Sequence, residues 1–240
     1  MTELNSLSAW LNRHRSPDLT DRCHICGKFI VGKPLYCDPW GHYSCASHGS
    51  NVCFVCLEMC DDSNLELPGY GYLCSRCASK EIDPASALRI VDYVGQYFLK
   101  SGISGFPGYK LHLASAQEMI ESADGLAAGG LAYSFDGQCY RIKVLKNLSK
   151  IAFAGVFAHE LLHLWQYAHK INAPDPICEG FCNLGKYLVL ASIARNESYP
   201  HMSYMLQNDD VVYGEGFRTL KVLHDVVGWK GVLEKMRSFK

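Results

Sequence analysis

The stretch Lys150-Ile151-Ala152-Phe153-Ala154-Gly155-Val156-Phe157-Ala158-His159-Glu160-Leu161-Leu162-His163-Leu164-Trp165-Gln166-Tyr167-Ala168-His169-Lys170 decides how this chain folds. Ser149 or Asn147, just ahead of it, supplies a helix N-cap. Ile151 to Ala158 is apolar nearly all round, the pattern of a helix buried on every side. Polar groups inside such a helix cost free energy unless they are satisfied. His159 and His163 lie four apart, so both imidazoles share one face and reach one ion, with Glu160 beside them.

The segment that follows supplies a third ligand. Asp175-Pro176 reads as a helix start, with Asp175 as cap and Pro176 at the first helical position. The helix then runs Ile177 to about Arg195, and residues 171–175 make the reversal. Two antiparallel helices present His159, His163 and Glu179 to one ion. Three protein ligands with an open fourth position describe a catalytic zinc. Asn183, four residues after Glu179, is placed to hydrogen-bond the outer nitrogen of a ligand histidine. Glu215, in Tyr213-Gly214-Glu215-Gly216, is the rival third ligand, ranked lower because no local geometry places it. In the expected chemistry, zinc acidifies a water and polarises a carbonyl. Glu160 is the catalytic residue, the general base that takes the water's proton and delivers it to a leaving amine. Tyr213, His201, Tyr204 and His224 are the candidates for stabilising the oxyanion.

Upstream, residues 21–80 hold nine of the twelve cysteines in an internal repeat. Cys23-x2-Cys26, 18 residues and Cys45-x2-His48 form one unit. Cys53-x2-Cys56, 17 residues and Cys74-x2-Cys77 form the next. Each unit offers four soft ligands, the set a tetrahedral structural zinc takes. Gly27, Gly32-Lys33-Pro34 and Pro68-Gly69 supply turn chemistry. A piece this small buries little core, so two zincs carry much of its folding. His42-x2-Cys45 is an alternative pairing for the first site. Cys45-x2-His48 is preferred because it matches the repeat, and Cys60 falls outside both quartets.

Three regions result: a tail at 1–20 around Leu7, Trp10 and Leu11, a double zinc-binding module at 21–80, and a mostly helical domain with a small sheet at 81–240. The fold class is α+β. In the last region a helix is expected from Pro84 to about Lys100, a strand from Tyr109 to Leu113, and a short helix from Ala116 to Ala123. A flexible turn is expected from Gly125 to Gly130, and a strand from Gln138 to Leu145. The net charge is −1, and residues 21–80 carry five Lys or Arg against six Asp or Glu. That balance disfavours nucleic acid and anionic membranes as partners. No stretch reaches the roughly 18 apolar residues of a membrane span, and Met1 to Arg22 lacks the apolar core of a secretory signal. A soluble protein of the reducing cytoplasm is expected, where twelve cysteines serve metal rather than disulfides.

Together these motifs resemble the LIM-type peptidases related to the plant organ-size regulator DA-one, particularly their compact bacterial relatives. The resemblance covers most of the chain from about Asp21. It rests on Gly41-His42-Tyr43-Ser44-Cys45-Ala46-Ser47-His48, the Cys53/Cys56/Cys74/Cys77 quartet, His159 to His163, Glu179-Gly180 and Tyr213-Gly214-Glu215-Gly216-Phe217-Arg218. It implies a LIM-like double zinc module joined to a gluzincin-type endopeptidase domain acting on proteins. The module would hold a protein partner or brace the catalytic domain. The chain departs from the plant pattern in the four residues between His48 and Cys53, where LIM spacing is tighter. It also shows no acidic ubiquitin-interacting helix ahead of the module, so ubiquitin-dependent activation is not carried over. A reading from another class is a zinc-finger adaptor that keeps the peptidase-like fold without catalysis.

Overall fold

A computed structural model describes residues 22–31, 36–48, 51–60, 65–67, 71–123, 128–135 and 137–240. The tail at 1–20 and the turns at Gly32-Lys33-Pro34 and Pro68-Gly69 lie outside these, as do residues 125–127 of the expected 125–130 turn.

The cysteine repeat is a repeat of backbone as well as of sequence. In the first unit Cys23 N donates to Lys28 O and Gly27 N to Cys23 O, each at 2.8 Å. In the second, Cys53 N donates to Glu58 O and Leu57 N to Cys53 O, again at 2.8 Å. The turn needs a left-handed residue, supplied by Gly27 (φ 69°) in one unit and by Leu57 (φ 61°) in the other. Each unit then forms a short antiparallel hairpin: β1 (Tyr36–Cys37) with β2 (Tyr43–Ser44), and β3 (Leu65–Leu67) with β4 (Gly71–Leu73). A single helical turn, α1 (Ser75–Ala78), carries Cys77.

Buried Asp38 staples the two units. Its carboxylate accepts from Trp40 N and His42 N in its own hairpin turn and from Met59 N in the other unit. Trp40 Nε1 also donates to Cys56 O at 2.7 Å.

The remaining chain forms α2 (Pro84–Lys100), β5 (Tyr109–Ala114), α3 (Ala116–Ser122), β6 (Gly130–Phe135), β7 (Cys139–Leu145), α4 (Lys150–His169), α5 (Asp175–Ile193), α6 (Ser198–Gln207), a π-helical turn (Val211–Glu215) and α7 (Gly216–Arg237). The molecule is α+β with small sheets. Asp83 caps α2, a Ser115–Glu118 capping box opens α3, and Ser149 caps α4. Ser149, rather than Asn147, accepts from Ala152 N.

The three-stranded sheet has the order β5-β7-β6, with β7 parallel to β5 and antiparallel to β6. Strand β6 was not expected: Gly130 begins it instead of ending a turn, because residues 130–135 pair in register with β7. α4 packs against this sheet, α2 and α5. Its Phe153, Phe157, Leu162 and Trp165 are wholly buried, each contributing about 1.5–3 kcal/mol.

α5 begins one residue earlier than expected. Pro174 is the cap residue, its carbonyl accepting from Cys178 N at 3.0 Å, and Asp175 lies inside the first turn without a capping bond. One buried cluster runs from Cys53, Val55, Cys60 and Leu73 into the helices, so the second cysteine unit shares the helical core. Among the described residues no helix is long and apolar enough to cross a membrane.

Candidate metal centre and its cleft

α4 and α5 lie side by side and bring three side chains to one point. His159 Nε2 and His163 Nε2 are 3.0 Å apart. Glu179 places Oε2 at 3.1 Å from His159 Nε2 and Oε1 at 3.4 Å from His163 Nε2. Both histidine side chains are only 14% exposed. Glu215 is exposed on the π-turn and does not line this cleft; α5 supplies the carboxylate because Glu179 sits in its second turn, facing α4.

The protonation of the two rings follows from their outer nitrogens. Asn183 Nδ2 donates to Tyr213 O at 3.0 Å, which turns its Oδ1 toward His159 Nδ1 at 3.0 Å. Gln166 Nε2 donates to Cys178 O at 2.9 Å, which turns its Oε1 toward His163 Nδ1 at 3.1 Å. Both Nδ1 atoms therefore carry hydrogen, and both Nε2 atoms point inward, where each would bind a metal ion in place of a proton. Glu179 adds acceptor oxygens, and its buried Oε2 has no hydrogen-bond partner although His159 Nε2 is near. Acceptors this close repel unless a cation lies among them. The donor set, two imidazoles and a carboxylate, suits zinc.

The demand for positive charge shows in the acid–base balance. At His163 burial opposes protonation, but the Cys182 and Glu179 groups outweigh it and raise its pKa. At Glu179 burial favours the neutral form, but the adjoining His159 and His163 rings outweigh it and hold the carboxyl well below its usual range.

Sequence reasoning noticed Asn183 but missed Gln166, three residues after His163, and Cys182, three after Glu179. Helical spacing puts both on the inward faces. Cys182 is fully buried, and burial pushes its thiol up to about 11.

The centre opens into a cleft of about 610 Å³. Glu160, 7% exposed, lies on its floor against β6. The approach is so close that a Cβ on Gly130 would sit 2.6 Å from Glu160 Cγ and 2.8 Å from Oε1. Lys186, one turn beyond Asn183, lines the same cleft; burial lowers its pKa while Glu160 acts to raise it.

Of the oxyanion candidates, Tyr213 alone lines this cleft. Asp210 accepts from Val212 N and Tyr213 N at the start of the π-turn. Close backbone packing sets that turn against α5: a Cβ on Gly180 would meet Gly216 C and O at 2.5 Å, and one on Gly216 would meet Pro176 O at 2.0 Å. His201 and Tyr204 instead line a cavity beside Cys53 and Phe54, and His224 packs edge-on to Trp229.

In the N-terminal module, Cys23, Cys26, Cys45 and His48 converge, as do Cys53, Cys56, Cys74 and Cys77, with ligand atoms within 4.8 Å in each group. His48 Nδ1 lies 3.1 Å from Cys45 Sγ and 3.4 Å from Cys23 Sγ. His42 is elsewhere, stacked on His24 at 4.0 Å with Nδ1 at 3.0 Å from Asp38 Oδ2. In the second group hydrogen bonds from Cys56 and Cys77 depress the Cys53 thiol, while the bond to Cys53 pushes Cys56 up to about 12. Four sulfurs this close cannot all ionise without a cation. These two clusters could hold zinc or another metal. Cys60 hydrogen-bonds Glu58 O and belongs to neither.

No family model matches the chain, and no curated protein or solved structure matches it either.

Proposed function

We propose that the protein is a zinc-dependent endopeptidase with two further zincs in a LIM-like N-terminal module. The observation that carries this reading is the convergence of His159 Nε2, His163 Nε2 and the Glu179 carboxylate, with a buried Glu160 beside it at the floor of an open cleft. His159, His163 and Glu179 would hold the catalytic ion, and the two cysteine-rich quartets the structural ones. The bound zinc supplies a Lewis acid and lowers the pKa of a water molecule there.

The chain's own residues supply the rest. Asn183 and Gln166 fix the rings so that Nε2 faces inward. Glu160, held against Gly130, takes the proton of the attacking water and passes it to the departing amine. The Tyr213 hydroxyl is the donor for the developing oxyanion. β6 is an edge strand whose Gly130, Leu131 and Ala132 line the cleft. An extended polypeptide docks there by strand addition, which favours protein substrates over compact small molecules. The second zinc unit packs into the helical core and braces the catalytic part.

The test is Glu160→Gln on zinc-loaded protein with an unfolded protein substrate. Its metal content should match wild type and its cleavage rate should fall by at least about 10²-fold, the lower range of a lost general base. Cleavage at the wild-type rate would falsify the assignment.

A further inference from the structure

Cys182 stands one helical turn after Glu179 on α5, with its side chain turned to the same histidine pair. Its Sγ lies within 4.8 Å of the ligand nitrogens of His159 and His163, and it is fully buried. A cysteine serving only as an apolar filler has no need of that direction. Here it shares one small volume with the ring nitrogens of both histidines, a donor group of the kind that holds a metal ion.

We propose that Cys182 is a fourth protein ligand to the metal at His159, His163 and Glu179. The inference rests on reading those three residues as a metal site. A set of two imidazoles, one carboxylate and one thiolate is complete for tetrahedral zinc, and such closed sites are structural, whereas catalytic sites keep a position free. A centre so filled would be closed, and hydrolysis there would require the sulfur to give up its position. On binding, the sulfur–metal bond forms as the S–H proton is released to solvent, one proton for each ion bound at this site. The sulfur also selects zinc or cobalt over magnesium and manganese, which prefer oxygen.

The experiment uses the full chain with its cysteine quartets filled with zinc and the histidine site refilled with cobalt(II). Wild type, Cys182→Ser, Cys182→Ala and His159→Ala are compared by metal content and by absorption. Wild type should show a thiolate-to-cobalt charge-transfer band in the near ultraviolet beyond that of His159→Ala. Both Cys182 variants should keep a cobalt ion at this site, lose that band, and bind cobalt at least about tenfold more weakly, as expected when a metal's protein support is removed. The serine variant preserves volume, so one of the two remains interpretable if the other folds poorly. An identical near-ultraviolet spectrum in wild type and both Cys182 variants, with cobalt present, overturns the ligand role alone. If His159→Ala binds as much cobalt as wild type, the metal-site reading itself fails.

Discussion

Replacing Asn183 by Ala isolates the element that would hold His159 in the orientation of a metal ligand. The amide does two things: Oδ1 accepts from His159 Nδ1 and Nδ2 donates to Tyr213 O, both at 3.0 Å. The alanine leaves a buried N–H without an acceptor, which costs about 1–3 kcal/mol. Loss of such outer partners lowers metal affinity by about 10–100-fold, equivalent to about 1.4–2.8 kcal/mol at 1.36 kcal/mol per decade. Asn183 is 8% exposed, so a replacement water has little room to enter. Asn183→Asp separates the two roles, since it keeps the acceptor for His159 but turns a carboxylate oxygen toward the Tyr213 carbonyl. Competition titration with a chelating zinc indicator, with the cysteine quartets filled, should show weakened binding in the alanine variant and near-wild-type binding in the aspartate variant. Wild-type affinity in the alanine variant, or equal loss in both, refutes the argument from fixed tautomers.

Gly130→Ala should displace Glu160, because the new Cβ falls 2.6 Å from its Cγ and from Val156 Cγ1; hydrolysis should drop by about 10²-fold, as for an ångström-scale misplacement, with metal content unchanged. An unaltered rate would show that Glu160 is not held by β6. Gly180→Ala aims a Cβ at the Gly216 backbone, 2.5 Å away, which cannot rotate aside; overpacking of about 1–3 kcal/mol should lower the thermal midpoint by several degrees, read by calorimetry. His201 bears on acid stability. Burial, helped by the Lys186 charge, lowers its pKa from 6.5 to about 3. Below pH 6.5 the unfolded chain therefore binds a proton that the folded chain refuses, and stability falls as pH drops from 6.5 toward 3, by up to about 1.4 kcal/mol per pH unit. His201→Gln should flatten that slope in denaturant titrations at pH 4 to 7, and an unchanged slope would place the acid sensitivity elsewhere.

The helix at Lys150–His169, its Ser149 cap and the spacing of His159 and His163 were legible in the sequence because helical geometry fixes neighbours three and four residues apart. The cysteine repeat was legible for a similar reason, since each paired motif closes its own turn within a few residues. Local chemistry left choices open where distant segments meet. Tertiary packing brought His48 to the first cysteine cluster, and it kept His42 on Asp38 and His24. It put Glu179, and not Glu215, beside the histidines, because α5 docks along α4 and the π-turn points Glu215 outward. It made Gly130 the start of a cleft-edge strand, because residues 130–135 pair in register with β7. Most of all it set the direction of Cys182. A helical period places that residue on the face of Glu179, but only the packing of α5 against α4 brings a plain buried cysteine to the two histidines.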